Sequence, residues 1–339
     1  MENVSNGPNG SHPPERGTWS FRDRPRLGMA LGALGVSTSA IFIDLSATSP
    51  PTATFFRCVL GLPLLWPFLR REQRCEGGLS TRGWLTALAA GVLFAGDALL
   101  WTQAIHEVGA GLSTVMVNAQ IVLVPLLALV IDREPVGSRF LLALPVMVAG
   151  IVLTGGVFET GAAGNDPIRG TIHAVLAALC YSGFLFLLRR GGHTGQTIRS
   201  YRAVIATAAG VALLSGVLSH DITVTPGWAA VGWLALTALC GQVLGWLLVA
   251  LAAPHLSSTV GAALLMLTPV GALILSAVAL GEYPTPLQLI GSMLVLAGAF
   301  TASAPTTLWA RPGRRAGYSH RTRSNISNGR HNRALQRNR

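Results

Sequence analysis

Apolar stretches of roughly 18 to 26 residues recur along the chain, cut by short segments that carry charge, Gly or Pro. Ten can be traced, at about 27–47, 52–69, 83–106, 110–131, 138–157, 169–188, 201–219, 227–251, 256–280 and 285–304. Each is close to the ~20 residues that cross a hydrocarbon core as a helix. The breaks carry turn chemistry: Ser49-Pro50-Pro51, Gly77-Gly78, Gly191-Gly192 and Pro284-Thr285-Pro286. This pattern predicts an all-α membrane protein with ten transmembrane helices.

The arginines set its orientation. Loop 2-3 holds Arg70, Arg71, Arg74 and Arg82, loop 4-5 holds Arg133 and Arg139, and loop 6-7 holds Arg189, Arg190 and Arg199. With four arginines in the amino-terminal tail and nine in the carboxy-terminal tail, one side of the membrane carries 22 of the 25. Arg169 alone lies opposite; Arg57 and Arg202 fall inside spans. The positive-inside rule therefore predicts a multi-pass protein of the cytoplasmic (inner or plasma) membrane with both termini in the cytoplasm.

Composition narrows the chemistry. Charged residues make up 12% of the chain, against about 25% in soluble domains. There is no Lys, so readings that need a P-loop lysine or a Schiff-base amine fail. Cys58, Cys75, Cys180 and Cys240 have no C-x-x-C spacing and read as thiols rather than disulfide or metal ligands. Neither cofactor nor metal is expected. Residues 1–26 lack the short apolar core of a cleavable signal, and residues 305–339 are Arg-rich without an acidic residue. Both read as disordered cytoplasmic tails. Anionic lipid headgroups at the Arg-rich loops and carboxy-terminal tail explain the basic charge without nucleic acid, since the tail lacks interleaved aromatics. Nothing in the sequence fixes the oligomeric state.

The chain also repeats itself. At an offset of 145, Ser37 meets Ser182, Arg57 meets Arg202, Asp97 meets Gln242, Trp101 meets Trp246 and Thr114 meets Thr259. Past a gap the offset becomes 148, where Glu134 meets Glu282 and Ala149-Gly150 meets Ala297-Gly298. Halves 27–157 and 169–304 would each hold five spans, an odd number, so the second must enter the membrane upside down. Two inverted five-helix repeats related by a pseudo-two-fold axis in the membrane plane are the architecture of alternating-access carriers.

The last hairpin, LGEYPTPLQLIGSMLVLAGAF at 280–300, resembles the EamA-type domain of the drug/metabolite transporter superfamily. Gly281, Glu282, Gln288 and Gly291 match its G-E-x-x-x-x-x-Q-x-x-G pattern. DREPVGSRFLLALPVMVAGIVL at 132–153 is a weaker copy that keeps Glu134 and Ala149-Gly150 but has Asp132-Arg133 where the family has Gly. YSGFLFLLRR at 181–190 and the arginines in spans two and seven are similar as well. The resemblance covers about 27–304 and implies an inner-membrane carrier, often an exporter, of metabolites, amino acids or drugs. It does not specify the substrate.

Polar residues inside spans are the site candidates. Asp97 sits near mid-membrane, where a carboxylate costs roughly 2.5 to 3.5 kcal/mol on insertion scales. It must face a cavity or a partner, and it is the candidate for substrate contact and proton coupling. Trp101 follows Asp97 by four residues and Trp246 follows Gln242 by four, so each half sets a polar group and an indole on one helical face. Of Asn118 and Gln120, only Asn118, four residues after Thr114, is expected to reach a cavity. The candidate substrate residues are thus Asp97, Trp101, Asn118, Gln242 and Trp246. Arg57 and Arg202 are candidates for gating or anion contact, though each is near enough to an interface to snorkel. Glu134 and Glu282 read as loop-anchoring acceptors, and His106, Glu107 and His255 as span-end residues without ligand partners.

A secondary carrier for a small molecule is the reading taken, with a membrane-embedded enzyme for lipid-soluble substrates and a non-transporting sensor or scaffold as alternatives. The chain shows no paired acids and no nucleophile–base constellation, so no enzymatic activity is expected.

Overall fold

Many large apolar side chains face outward, and small ones are frequent inside beside larger ones such as Met29, Ile43, Ile105, Leu112 and Leu234. Val278 is 81% exposed, Val130 76% and Leu142 72%. Fully buried small residues include Ala33, Ala98, Ala177, Ala212, Ala272 and Ala299, together with Ser37 and Ser182. Apolar outer faces over helix contacts rich in small residues are the arrangement of helices that lipid surrounds. The structure, a computed structural model, describes residues 24–73, 79–133, 137–159, 162–191, 197–252, 255–256 and 258–303. Residues 1–23, residues 305–339, Cys75 and Glu134 lie outside the described residues, while Pro25 and Arg26, expected in the amino-terminal tail, begin the first helix.

The described residues are all-helical. In chain order the α-helices are α1 (Pro25–Ser46), α2 (Pro50–Leu64), α3 (Trp66–Gln73), α4 (Thr81–Val108), α5 (Ala110–Val117), α6 (Gln120–Asp132), α7 (Ser138–Thr154), α8 (Pro167–Gly191), α9 (Thr197–Leu218), α10 (Trp228–Leu236), α11 (Trp246–Ala252), α12 (Ser258–Leu265), α13 (Leu267–Ala279) and α14 (Pro286–Ser303). A π-helical segment, Thr237–Gly245, joins α10 to α11. Seven helical runs are long and apolar enough to cross a membrane, and Phe140–Thr154 and Ala263–Ala279 are shorter apolar helices. The second expected span is broken at Leu65, where α2 ends ahead of Trp66-Pro67, since proline cannot continue the helical hydrogen bonding.

Element bounds repeat as the sequence does. Helix α5, Ala110–Val117, and α12, Ser258–Leu265, are both 8 residues long and differ in number by 148. The gap between the two offsets therefore falls before Ala110, so Thr114 corresponds to Ala262 rather than Thr259. Contacts repeat too. Helix α1 packs on the π segment and α11 as α8 packs on α4; α1 packs on α12 and α13 as α8 packs on α5 and α6; α2 meets its mate α9, and α7 meets its mate α14. A pseudo-two-fold relation between the halves produces this pairing of contacts.

Residues of the G-E motif hold this frame together. Glu282 accepts from the backbone N–H groups of Ala110 (2.8 Å) and Gly111 (3.2 Å) at the start of α5, satisfying donors that a helix N-terminus leaves open. It is thus a loop-anchoring acceptor, as expected. Gln288, fully buried, accepts from Ala163 and Thr285 backbone N–H groups and donates to the Ala163 carbonyl. Gly281 has φ +69°, a region open to glycine. A Cβ on Gly291 would collide with the Thr154 and Gly150 backbones, so glycine there lets α14 lie against α7.

Candidate functional site

Both halves contribute to one central cavity of about 490 Å³. Helix α4 supplies Asp97 and Trp101 from one face, four residues apart. At about 1.5 Å per residue, Asp97 lies about 24 Å from the start of α4 and about 16 Å from its end. The π segment supplies Thr237, Gly241 and Gln242, and Trp246 follows at the start of α11. Helix α2 adds Arg57, α1 adds Ser39, α8 adds Tyr181, and α13 adds Thr268.

Between α5 and α6 the chain leaves regular α-geometry. The Asn118 and Ala119 N–H groups bond back three residues, to Val115 and Met116, and those of Ile121 and Val122 do the same to Asn118 and Ala119. This tightened turn, of the kind that often marks a hinge, presents Asn118 and Gln120 to the cavity together. The expectation that only Asn118 would reach it is corrected: two residues apart on a regular helix they would face different ways, but the break changes the register. Helix α12 ends and α13 begins around Met266, the residue 148 after Asn118, so the break is repeated in the second half.

Charge in the cavity is buried. Arg57 is 5% exposed and Asp97 6%, and no ion pair within 4.0 Å joins them. The Arg57 guanidinium lies 5.6 Å from the Phe94 ring centroid and 5.8 Å from that of Trp101, near enough for the ring quadrupoles to favour the cation. Arg57 Nε, Trp101 Nε1, Gln120 Oε1 and both side-chain polar atoms of Gln242 are buried without a hydrogen-bond partner. Each such atom costs on the order of 1–3 kcal/mol if nothing fills it. Asn118 Nδ2 is satisfied by the Thr114 carbonyl at 2.8 Å. An aromatic wall runs from Phe94 through Phe184 and Tyr181 to Trp246, with successive centroids 5.1, 5.6 and 6.2 Å apart.

Six of the seven residues singled out in the sequence therefore line one cavity: Asp97, Trp101, Asn118, Gln242, Trp246 and Arg57. Arg57 does not snorkel: it is buried, with its guanidinium turned toward Phe94 and Trp101 of α4. Arg202 differs. It is exposed and absent from the cavity lining. Gln120 was set aside, and Tyr181 and Phe94 were missed: Tyr181 stands out only as a hydroxyl within an apolar run, and an aromatic lining a cavity looks in sequence like one packing in a core.

At the end of α4, Glu107 is not isolated. It meets His173 Nδ1 of α8 at 2.5 Å and accepts from Gln103 Nε2 at 2.8 Å, joining helices from the two halves. No group of three or more His, Cys, Asp or Glu is gathered for a metal ion among the described residues. The thiols of Cys58, Cys180 and Cys240 are free.

The model of the EamA-like transporter family matches the sequence twice, over 26–156 and 168–304. A protein of known crystal structure superposes with a TM-score of 0.55 at 19% identity, over 86% of this chain and 99% of its own. That likeness is one of fold. No curated protein matches the sequence significantly.

Proposed function

Because this chain belongs to the EamA-like transporter family, we propose that it is a secondary carrier that exports a small metabolite, amino acid or drug across the cytoplasmic membrane, binding it in the central cavity. Membrane transport of small molecules is the family's activity; substrate, direction and coupling are this proposal's own. The observation that carries the reading is that both halves build one cavity whose walls hold a buried guanidinium, a buried carboxyl group and unpartnered polar atoms. Buried polar groups without partners are costly, and a ligand that satisfies them recovers that cost.

In the same reading the chain crosses the membrane ten times as two inverted five-helix halves, 27–157 and 169–304, with both termini and the Arg-rich loops and tail against anionic cytoplasmic lipid. Exchanging the conformations of the halves turns the cavity from one side to the other. Asp97 is the coupling group: a carboxyl group that meets the cavity can take up a proton on one side and release it on the other. Its mate Gln242 cannot ionise, so the stoichiometry is one proton site per carrier.

Flux into vesicles containing only the purified protein tests this. Ligand accumulation supports the carrier. Binding without flux sinks it in favour of a sensor or scaffold, and chemical turnover of a lipid without net transport would replace it with an enzyme.

A further inference from the structure

The π register of the second half has no counterpart in the first. Thr237–Gly245 is π-helical, whereas its repeat mate, residues 92–100, lies within the uninterrupted helix α4. π segments are rare and are frequent at functional sites. This one carries Gln242, a cavity residue whose side-chain oxygen and nitrogen are both buried without a partner.

Among the described residues, one side-chain donor reaches the segment from a neighbouring helix. The Tyr201 hydroxyl of α9 donates to the backbone carbonyl of Gln242 at 3.2 Å. The offset of 145 that matches Gln242 with Asp97 matches Tyr201 with Phe56 of α2, which has the same ring and no hydroxyl. The half that has the donor is π-helical, and the half that lacks it is α-helical. Glycine does not account for the difference: Gly241 corresponds to Gly96, which sits in regular helix. Gly245, whose mate is Leu100, lets the segment approach Gly32 of α1 closely, but it supplies no donor that would select one register.

We propose that Tyr201 is a positioning residue for the central site: its hydroxyl holds Thr237–Gly245 in the π register, and that register sets the Gln242 amide into the cavity wall. The importance of the site rests on the transport reading above; the register does not. Returning the segment to α-helix removes the extra residue in its turn and rotates one side of it against the other by about 100°. Gln242 and Trp246 would then no longer face the cavity together.

The test is Tyr201→Phe, which removes one oxygen and keeps the ring. Two readouts apply to the full-length purified protein without ligand: a structure that traces the backbone through 237–245, and amide hydrogen exchange in peptides covering 237–245 and 92–100. The expected result is an α-helical 237–245, with its exchange changed by roughly 2- to 12-fold, the range one neutral hydrogen bond supplies. Exchange at 92–100 and the melting temperature stay as in the wild type. Replacing Tyr201 with para-amino-phenylalanine restores a donor and is expected to restore π geometry; should Tyr201→Phe not accumulate, an α-helical 237–245 in this second variant still overturns the proposal. A retained π register in Tyr201→Phe, an equal change at 92–100, or an α-helical segment in the para-amino variant overturns the proposal. Neither readout uses flux. A register shift in Tyr201→Phe combined with a wild type that moves nothing removes the transport reading and leaves this inference, while wild-type flux with an unshifted register in Tyr201→Phe does the reverse.

Discussion

Asp97 and Arg57 are the two buried charges of the cavity. Asp97 was legible in sequence because a charge inside an apolar run must have a destination, whereas Arg57, near a span end, reads more readily as a snorkelling side chain. The structure supplies both destinations, with Arg57 held against Phe94 and Trp101 and Asp97 on the opposing helix α4. Gln120 was not legible, because its place in the cavity depends on a helix break that residue type does not announce. Asp97→Asn is expected to fold and to keep ligand-induced thermal stabilisation while losing accumulation driven by a proton gradient. Gradient-driven accumulation retained in that variant would make Asp97 a structural hydrogen-bonding group. At Glu282, Gln in place of Glu weakens a charged acceptor shared by two backbone N–H groups. Thermal unfolding in detergent should show a loss of about 1–2 kcal/mol, and an unchanged melting temperature would mean that the cap contributes little.

At the scale of elements, apolar length located the helices, but their internal breaks were hidden. Propensity gives no warning that Asn118 ends α5, that Met266 separates α12 from α13, or that Thr237–Gly245 winds as a π-helix; tertiary packing imposes these departures. The glycines were more readable. Gly150 and Gly291 stand where α7 and α14 touch backbone to backbone: a Cβ on Gly150 would lie 2.8 Å from the Gly291 carbonyl oxygen. Gly150→Val must push the helices apart, with an overpacking cost of about 1–3 kcal/mol. The folded fraction of purified protein is expected to fall accordingly, and a variant as stable as the wild type would show that this contact is looser than the geometry indicates.

For the whole molecule, the duplication was visible in a few rare residues, Arg, Trp and a polar pair, and the structure extends it to helix bounds and paired contacts. The sequence offset failed at Thr114 because similarity between apolar residues is too weak to place a gap within a turn. It also favoured Arg202 as the functional mate of Arg57. Sequence symmetry matches positions and not burial: Arg57 is enclosed, whereas Arg202 is exposed. If the halves are inverted, reporter fusions at Gly164 and Asp221 should read as external and those at Gly192 and the carboxy terminus as internal. A reversed result at any two of them ends the inverted arrangement. Truncation at Thr306 should leave flux per folded protein within about twofold, because the composition of the removed segment, Arg-rich with Gly, Asn and Ser, favours neither helix nor core.

The central claim is that the cavity between the halves carries a solute across the membrane, and counterflow in vesicles tests it most directly. A thermal-shift screen of metabolites and drugs supplies the solute, since a ligand stabilises the folded state by RT ln(1 + [L]/Kd). Vesicles preloaded with it then exchange it against labelled solute outside. The wild type is expected to show transient accumulation of label, and Gln242→Trp, which fills the cavity from the π segment, to show none while remaining folded. Counterflow that survives cavity filling, or its absence in the wild type for every ligand that stabilises the protein, would contradict the account.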